Sequence, residues 1–127
     1  MKWKTIKHSI LIVDDEKDTR KGQKRLLSHN YKTYEASNGK EAIKILRENS
    51  DIKVILSDIK MPEMDGIEMF EKIRAENNNT IVIFITTFFS IKSRVDAMRK
   101  GAYDYLAKPF DLNKLEITIK NAFLETI

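Results

Sequence analysis

The 127 residues are 42% hydrophobic and 33% charged, with no Cys, four Gly, two Pro and a formal net charge of +4. A folded chain of this size buries roughly 68% of the surface it exposes when unfolded, enough for a core without staples. The lack of Cys excludes disulfide frameworks, cysteine-ligated zinc and thiol catalysis, and the longest uncharged run, 77–91, has fifteen residues against the roughly 20 apolar ones that span a bilayer.

The chain starts with positive charges, but its first apolar run, 10–13, is four residues long and ends at two aspartates, whereas a secretory signal needs about 7 to 15 apolar residues. A cytoplasmic location with no membrane contact is expected. The basic excess is scattered, Lys (17) outnumbers Arg (6), and no basic stripe, aromatic platform or reading helix is visible. No direct nucleic-acid contact is expected.

In chain order, residues 10–13 are continuously apolar, which suits a strand buried on both faces. Residues 16–29 read as a helix with an unusual face. Thr19, Gly22 and Gln23 stand where aliphatics are expected, only Leu26 and Leu27 are plainly apolar, and a mid-helix Gly costs roughly 1 kcal/mol relative to Ala. Either this helix is marginal or its polar face is used. Residues 32–36 alternate like an edge strand. Asn38-Gly39 marks a turn before a helix over 41–47, with Ala42, Ile43, Ile45 and Leu46 on one face.

A third strand is read at 53–56. The helix from Gly66 repeats Ile67, Phe70 and Ile73 and stops at Asn77-Asn78-Asn79. The strand at 81–85 precedes a helix with Ile91, Val95 and Met98 at i, i+4 and i+7, for which Gly101 is the expected C-terminal cap. Residues 103–107 form the last strand, ended by Lys108-Pro109. Asp111 caps a final helix whose apolar positions are Leu112, Leu115, Ile119, Ala122 and Phe123. Strands that alternate with helices predict a doubly wound α/β sandwich, a parallel sheet covered on both faces, as one domain over 1–127.

Ligands of such sheets bind beyond the carboxyl ends of the strands. The residues placed there are Asp14, Asp15 and Glu16 after the first strand, Asp58 after the third, Thr86 and Thr87 after the fourth and Lys108 after the fifth. Any one of them is explained by solvent or helix capping, but capping does not call for the lysine. Two carboxylates about 4 Å apart repel by about 1 kcal/mol even in bulk water, so a cluster favours a cation. Hard oxygen donors without Cys or a nearby His suit Mg²⁺. A divalent ion with a lysine and a hydroxyl alongside is apparatus for stabilising a phosphoryl group in transfer. Gly22, Gly39, Gly66 and Gly101 stand alone, so no phosphate loop or bound nucleotide is expected.

The segments LIVDDE (11–16), VILSDIKMPEMDG (54–66), FITT (84–87) and GAYDYLAKPF (101–110), in this order, resemble the receiver domain of bacterial two-component response regulators, over essentially the whole chain. The resemblance implies a flavodoxin-like five-stranded parallel sheet in order 2-1-3-4-5. It implies Asp58 as acceptor of a phosphoryl group from the phosphohistidine of a sensor kinase or phosphotransfer protein, and Mg²⁺ held by Asp14, Asp15, Asp58 and the carbonyl of Lys60. Lys108, before a cis proline, would pair with a phosphoryl oxygen. Thr86 would move to the phosphoryl group, and Tyr105 would turn from exposed to buried, switching a surface built by the fourth helix, fifth strand and fifth helix. The partners implied are that kinase or phosphotransfer protein, an output domain or downstream protein, and a second copy in a phosphorylation-dependent dimer. The domain would catalyse only its own phosphorylation and dephosphorylation. Any output lies outside these residues, which read as a stand-alone receiver or the N-terminal piece of a longer regulator.

Thr87 and Phe88 are expected to shield the acyl phosphate from water, which the phosphoryl lifetime of Thr87→Ala with Phe88→Ala measures. Lys17, Arg20, Lys21, Lys24 and Arg25 on the first helix form either a docking face for the kinase or a solvated face. His8 and His29 read as surface residues. The rival is a Mg²⁺-dependent phosphatase of haloacid dehalogenase type, whose DxDxT pattern neither frame fits: one gives Asp14, Glu16 and Asp18, the other Asp15, Lys17 and Thr19. A flavodoxin-like electron carrier would need a hydroxyl-rich loop where this chain has acids. Apart from Asp14, Asp15, Asp58 and Lys108, the chain carries +6, while those four carry −2.

Overall fold

A computed structural model describes residues 8–126. Five strands alternate with five helices: β1 (Ser9–Val13), α1 (Lys17–Leu27), β2 (Lys32–Ala36), α2 (Gly39–Glu48), β3 (Ile52–Ser57), α3 (Gly66–Ala75), β4 (Ile81–Thr86), α4 (Ile91–Arg99), β5 (Asp104–Ala107) and α5 (Leu112–Leu124). All neighbouring strands pair in parallel, in the order β2-β1-β3-β4-β5. The expected doubly wound sheet is present. The basic start of the chain at 1–7 and residue 127 lie outside the described residues. Among those described, no helix is long and apolar enough to cross a membrane.

Strand side chains alternate between faces, so the continuous apolar runs fill two cores. Leu11, Val13, Ile55 and Phe84 meet α2, α3 and α4 through Ile43, Leu46, Met69, Phe70, Ile73 and Ala97. Ile10, Ile12, Val54, Leu56, Ile83 and Ile85 meet α1 and α5 through Leu27, Leu115, Ile119 and Phe123. Each fully buried Ile or Leu contributes about 1.5–3 kcal/mol relative to exposure, so the strand ends that carry the polar residues are held by the best-buried part of the chain.

Local signals fix the helix ends. Asn38 accepts from the Glu41 amide at 2.8 Å while the Glu41 carboxylate accepts from the Ser37 amide at 2.8 Å. Asp65 caps α3 by accepting from the Glu68 amide, and Asp111 caps α5 by accepting from the Asn113 and Lys114 amides. Gly101 follows α4 with φ +103°, a conformation that disfavours any side chain. Asn77, at φ 61°, ends α3 as expected.

Helical spacing alone leaves the inward side of two helices open. Ile91, Val95 and Met98 form a stripe, but it faces solvent, at 76%, 41% and 38% exposure, and α4 packs through Ala97 on another side. Periodicity identifies a helix without saying which side meets the sheet, and here the small residue permits the close approach. Leu112, at the first turn of α5, is likewise exposed. The polar α1 forms, burying Gln23 and Leu27.

Candidate functional site

The ends of β1, β3 and β5 place the site. The Asp58 amide donates to the Val13 carbonyl at 2.9 Å, and the Lys108 amide to the Thr86 carbonyl at 2.9 Å, so the ladder continues just past the strands and fixes Asp58 and Lys108 on one rim. Asp14 is held by its own amide, which donates to the Ala36 carbonyl at 3.1 Å. Gly66 admits the start of α3 against this rim, because a Cβ there would lie 2.3 Å from the Asp58 carbonyl oxygen.

Lys108 Nζ bridges the acids, 2.8 Å from Asp14 Oδ2 and 2.9 Å from Asp58 Oδ2. The remaining oxygens are oriented by backbone donors, Asp14 Oδ1 by the Glu16 amide at 2.9 Å and Asp58 Oδ1 by the Ile59 amide at 2.6 Å. Burial of Lys108 favours its neutral form, but the hydrogen bonds and charges of Asp14 and Asp58 outweigh it and hold the ammonium pKa above its ordinary value. Asp14 is buried, Asp58 half-buried and Asp15 exposed, with one carboxylate oxygen of each within 4.8 Å of the others. Three carboxylates and one ammonium leave a charge of −2 on hard oxygen donors, which suits a divalent cation and no soft metal.

The other expected site residues stand around this cluster. Thr86 is fully buried as the last residue of β4, its Oγ1 accepting from the Phe88 amide at 3.0 Å. Tyr105 is in the buried arrangement, 2% exposed, its ring 5.4 Å from that of Phe89 and 6.4 Å from that of Phe84. Lys60 is exposed, with Nζ 5.5 Å from the centre of the exposed Phe88 ring. The Lys108–Pro109 bond is cis, as expected.

Sequence reading missed the supports. Arg20 donates to the Asp14 carbonyl at 2.8 Å and pairs with Glu35 at 3.2 Å. Lys21 and Lys24 also reach Glu35, at 3.0 and 3.1 Å, so three of the five α1 cations share a carboxylate on β2. Alternation along β2 could have placed Glu35 on one side of the sheet, but nothing in sequence spacing pairs it with α1.

Residues 10–120, which include every site residue above, match the family model described as the response regulator receiver domain. The chain is 40% identical over 120 residues to the regulatory protein AtoC of Escherichia coli, covering 89% of this chain and 24% of AtoC. It thus spans about a quarter of that relative's length. Its fold is similar to a response regulator receiver domain protein from Clostridium thermocellum, with TM-score 0.87, 32% identity and coverage of 93% of this chain and 95% of that one. It is also similar to a chain of the CheX-CheY-BeF3-Mg complex from Borrelia burgdorferi, with TM-score 0.84, 30% identity and coverage of 91% and 88%. The phosphatase alternative finds no support in these matches. With the sheet order, the acid cluster and its lysine all falling inside the matched residues, the chain belongs to the response regulator receiver domain family.

Proposed function

We propose that Asp58 accepts a phosphoryl group from the phosphohistidine of a sensor kinase or phosphotransfer protein, with Mg²⁺ held by Asp14, Asp15, Asp58 and the Lys60 carbonyl. The observation that carries this is Lys108 Nζ bridging Asp14 and Asp58 at 2.8 and 2.9 Å beside a third carboxylate. The similar Borrelia chain, whose complex is named with BeF3 and Mg²⁺, agrees with that ion. One Asp58 oxygen attacks phosphorus, the P–N bond of the donor breaks, and its electron pair stays on the imidazole. Mg²⁺, when bound, offsets negative charge on the transferring group. Lys108 pairs with a phosphoryl oxygen and Asp14 keeps it in place. Water ends the phosphorylated state by attacking phosphorus, so that the P–O bond to Asp58 breaks, inorganic phosphate leaves and the carboxylate is regenerated. The domain, taken as 1–127, thereby catalyses only its own phosphorylation and dephosphorylation, in the cytoplasm.

Thr86 and Tyr105 are the proposed switch. Thr86 Oγ1 leaves the Phe88 amide for the phosphoryl group, and the change is read at α4, β5 and α5 by an output domain, a downstream protein or a second copy. The exposed stripe of Ile91, Val95 and Met98 on α4 supports that readout. Incubation with acetyl phosphate and Mg²⁺ tests the acceptor. Intact-mass spectrometry is expected to show one phosphoryl group on the wild-type chain and none on Asp58→Asn; equal uptake by that variant overturns the assignment.

A further inference from the structure

The three carboxylates of the site are not held alike. Asp14 Oδ1 and Asp58 Oδ1 each accept from a backbone amide, and Asp14 Oδ2 and Asp58 Oδ2 share Lys108 Nζ. Asp15 is exposed, and its carboxylate accepts no hydrogen bond and makes no ion pair among the described residues. Its place within 4.8 Å of the other two therefore depends on the backbone that carries it.

That backbone is held from both sides of Asp14. The Asp14 amide donates to the Ala36 carbonyl at 3.1 Å, which continues the sheet ladder. The Asp14 carbonyl has left the ladder and accepts from Arg20 Nη1 at 2.8 Å. A peptide unit is planar, so the direction of that carbonyl sets the direction in which the chain enters Asp15. Arg20 is in turn oriented by Glu35, whose Oε1 accepts from Nε at 3.2 Å. Its side chain is 14% exposed, against 46% and 44% for Lys21 and Lys24, so of the three cations around Glu35 it is the one turned into the fold. A rigid, planar guanidinium holds two acceptors in fixed directions at once, which an ammonium on a flexible stem does not.

We infer that Arg20 is a positioning residue for Asp15: through the Asp14 carbonyl it fixes the peptide that aims this otherwise unheld carboxylate at Mg²⁺. The inference rests on the reading of the acid cluster as the ion's site. It also gives the polar face of α1 a use inside the fold. Without Arg20, the peptide before Asp15 has to be ordered when the ion binds, and that ordering is taken from affinity. Partners that orient metal ligands from outside are typically worth roughly 10–100-fold in affinity. Charge would act in the opposite sense, because a guanidinium near the site repels a divalent cation, and its loss by that route would tighten binding. Position and charge thus differ in sign.

The experiment reads Mg²⁺ affinity with no phosphoryl donor present, from the rise of the urea midpoint with Mg²⁺ concentration, each variant being referred to its own midpoint in EDTA. Arg20→Met is expected to bind about tenfold more weakly than wild type. Arg20→Lys, which keeps the charge and loses the fork, is expected to lose nearly as much. Glu35→Gln retains an acceptor oxygen for Nε and is expected to stay within about twofold of wild type. In an Asp15→Asn background, Arg20→Met is expected to cost less than about threefold more, since the carboxylate that Arg20 aims is gone. Wild-type affinity in either Arg20 variant, tighter binding in Arg20→Met, or the same tenfold loss with and without Asp15 overturns the assignment. Equal weakening in Glu35→Gln also overturns it, by tracing the effect to the packing of α1 on β2 instead of the Asp14 carbonyl. A wild-type midpoint that ignores Mg²⁺ overturns the ion's site, and this inference with it.

Discussion

Two clusters of charge stand at the same side of the sheet with opposite compositions. Around Glu35, three cations share one carboxylate; around Lys108, two carboxylates share one cation with a third carboxylate, that of Asp15, beside them. Burial separates their consequences. Lys21 and Lys24 are 46% and 44% exposed, so water carries the excess positive charge. The side chains of Asp14 and Asp58 are 1% and 11% exposed, so their excess negative charge has little solvent to spread into. An unbalanced cluster is inert where its surplus faces water and demands a counter-ion where it does not. That difference, rather than the number of charged residues, separates Asp58 and its neighbours, the proposed site, from the Glu35 cluster.

The comparison breaks most visibly at Lys108. Lys108→Met leaves Asp14 and Asp58 facing each other without an ammonium, and removal of one partner from a buried pair costs about 3 kcal/mol. Urea unfolding in EDTA is expected to show that loss, and millimolar Mg²⁺ is expected to restore part of it by binding the folded state. A loss that Mg²⁺ leaves untouched would mean that the cluster does not hold the ion.

Glu35→Gln probes the other cluster and has a smaller effect, about 1 kcal/mol at neutral pH for a partly exposed network. Burial raises the Glu35 pKa, but the hydrogen bonds from Lys21, Lys24 and Arg20 outweigh it, and the net shift is downward from 4.5. A carboxylate with a depressed folded-state pKa stabilises above its unfolded value, and that contribution disappears as pH falls through the folded one. The variant is therefore expected to lag wild type at neutral pH and to match it in acid, without any response to Mg²⁺. A deficit that persists in acid would assign the loss to packing instead of charge.

These expectations depend on contacts that the sequence shows unequally. Asp14, Asp58 and Lys108 were legible because each follows an apolar run, and in a parallel sheet all strand ends that precede helices meet at one rim. Gly66 was legible only as the start of a helix; that it must lack a side chain to clear the Asp58 carbonyl depends on α3 returning to that loop. The partnership of Glu35 with α1 depends on the β1–β2 pairing, which linear spacing does not encode. The direction of the α4 stripe is hidden from the sequence for a related reason. Helical spacing reports a face, and Ala97 decides which face is inside. Chemistry at strand ends is local in sequence, whereas the packing that supports it is not.

The smallest effect offers the cleanest separation, because its sign differs between the clusters. Asp15 is exposed, accepts no side-chain cation among the described residues, and has a carboxylate oxygen within 4.8 Å of two other carboxylates. Repulsion at that distance near a protein surface is modest, so Asp15→Asn is expected to stabilise the chain in EDTA by about 0.5 kcal/mol. Glu35→Gln, the same kind of change, destabilises. With Mg²⁺ present the order reverses, since wild type gains a binding contribution that rises with the ratio of free ion to Kd, and the variant has lost a ligand. Paired urea midpoints for wild type and Asp15→Asn, in EDTA and in millimolar Mg²⁺, read both signs. A variant already less stable than wild type in EDTA would show Asp15 acting as Glu35 does, as a partner within the fold, and the contrast between the two clusters would fail.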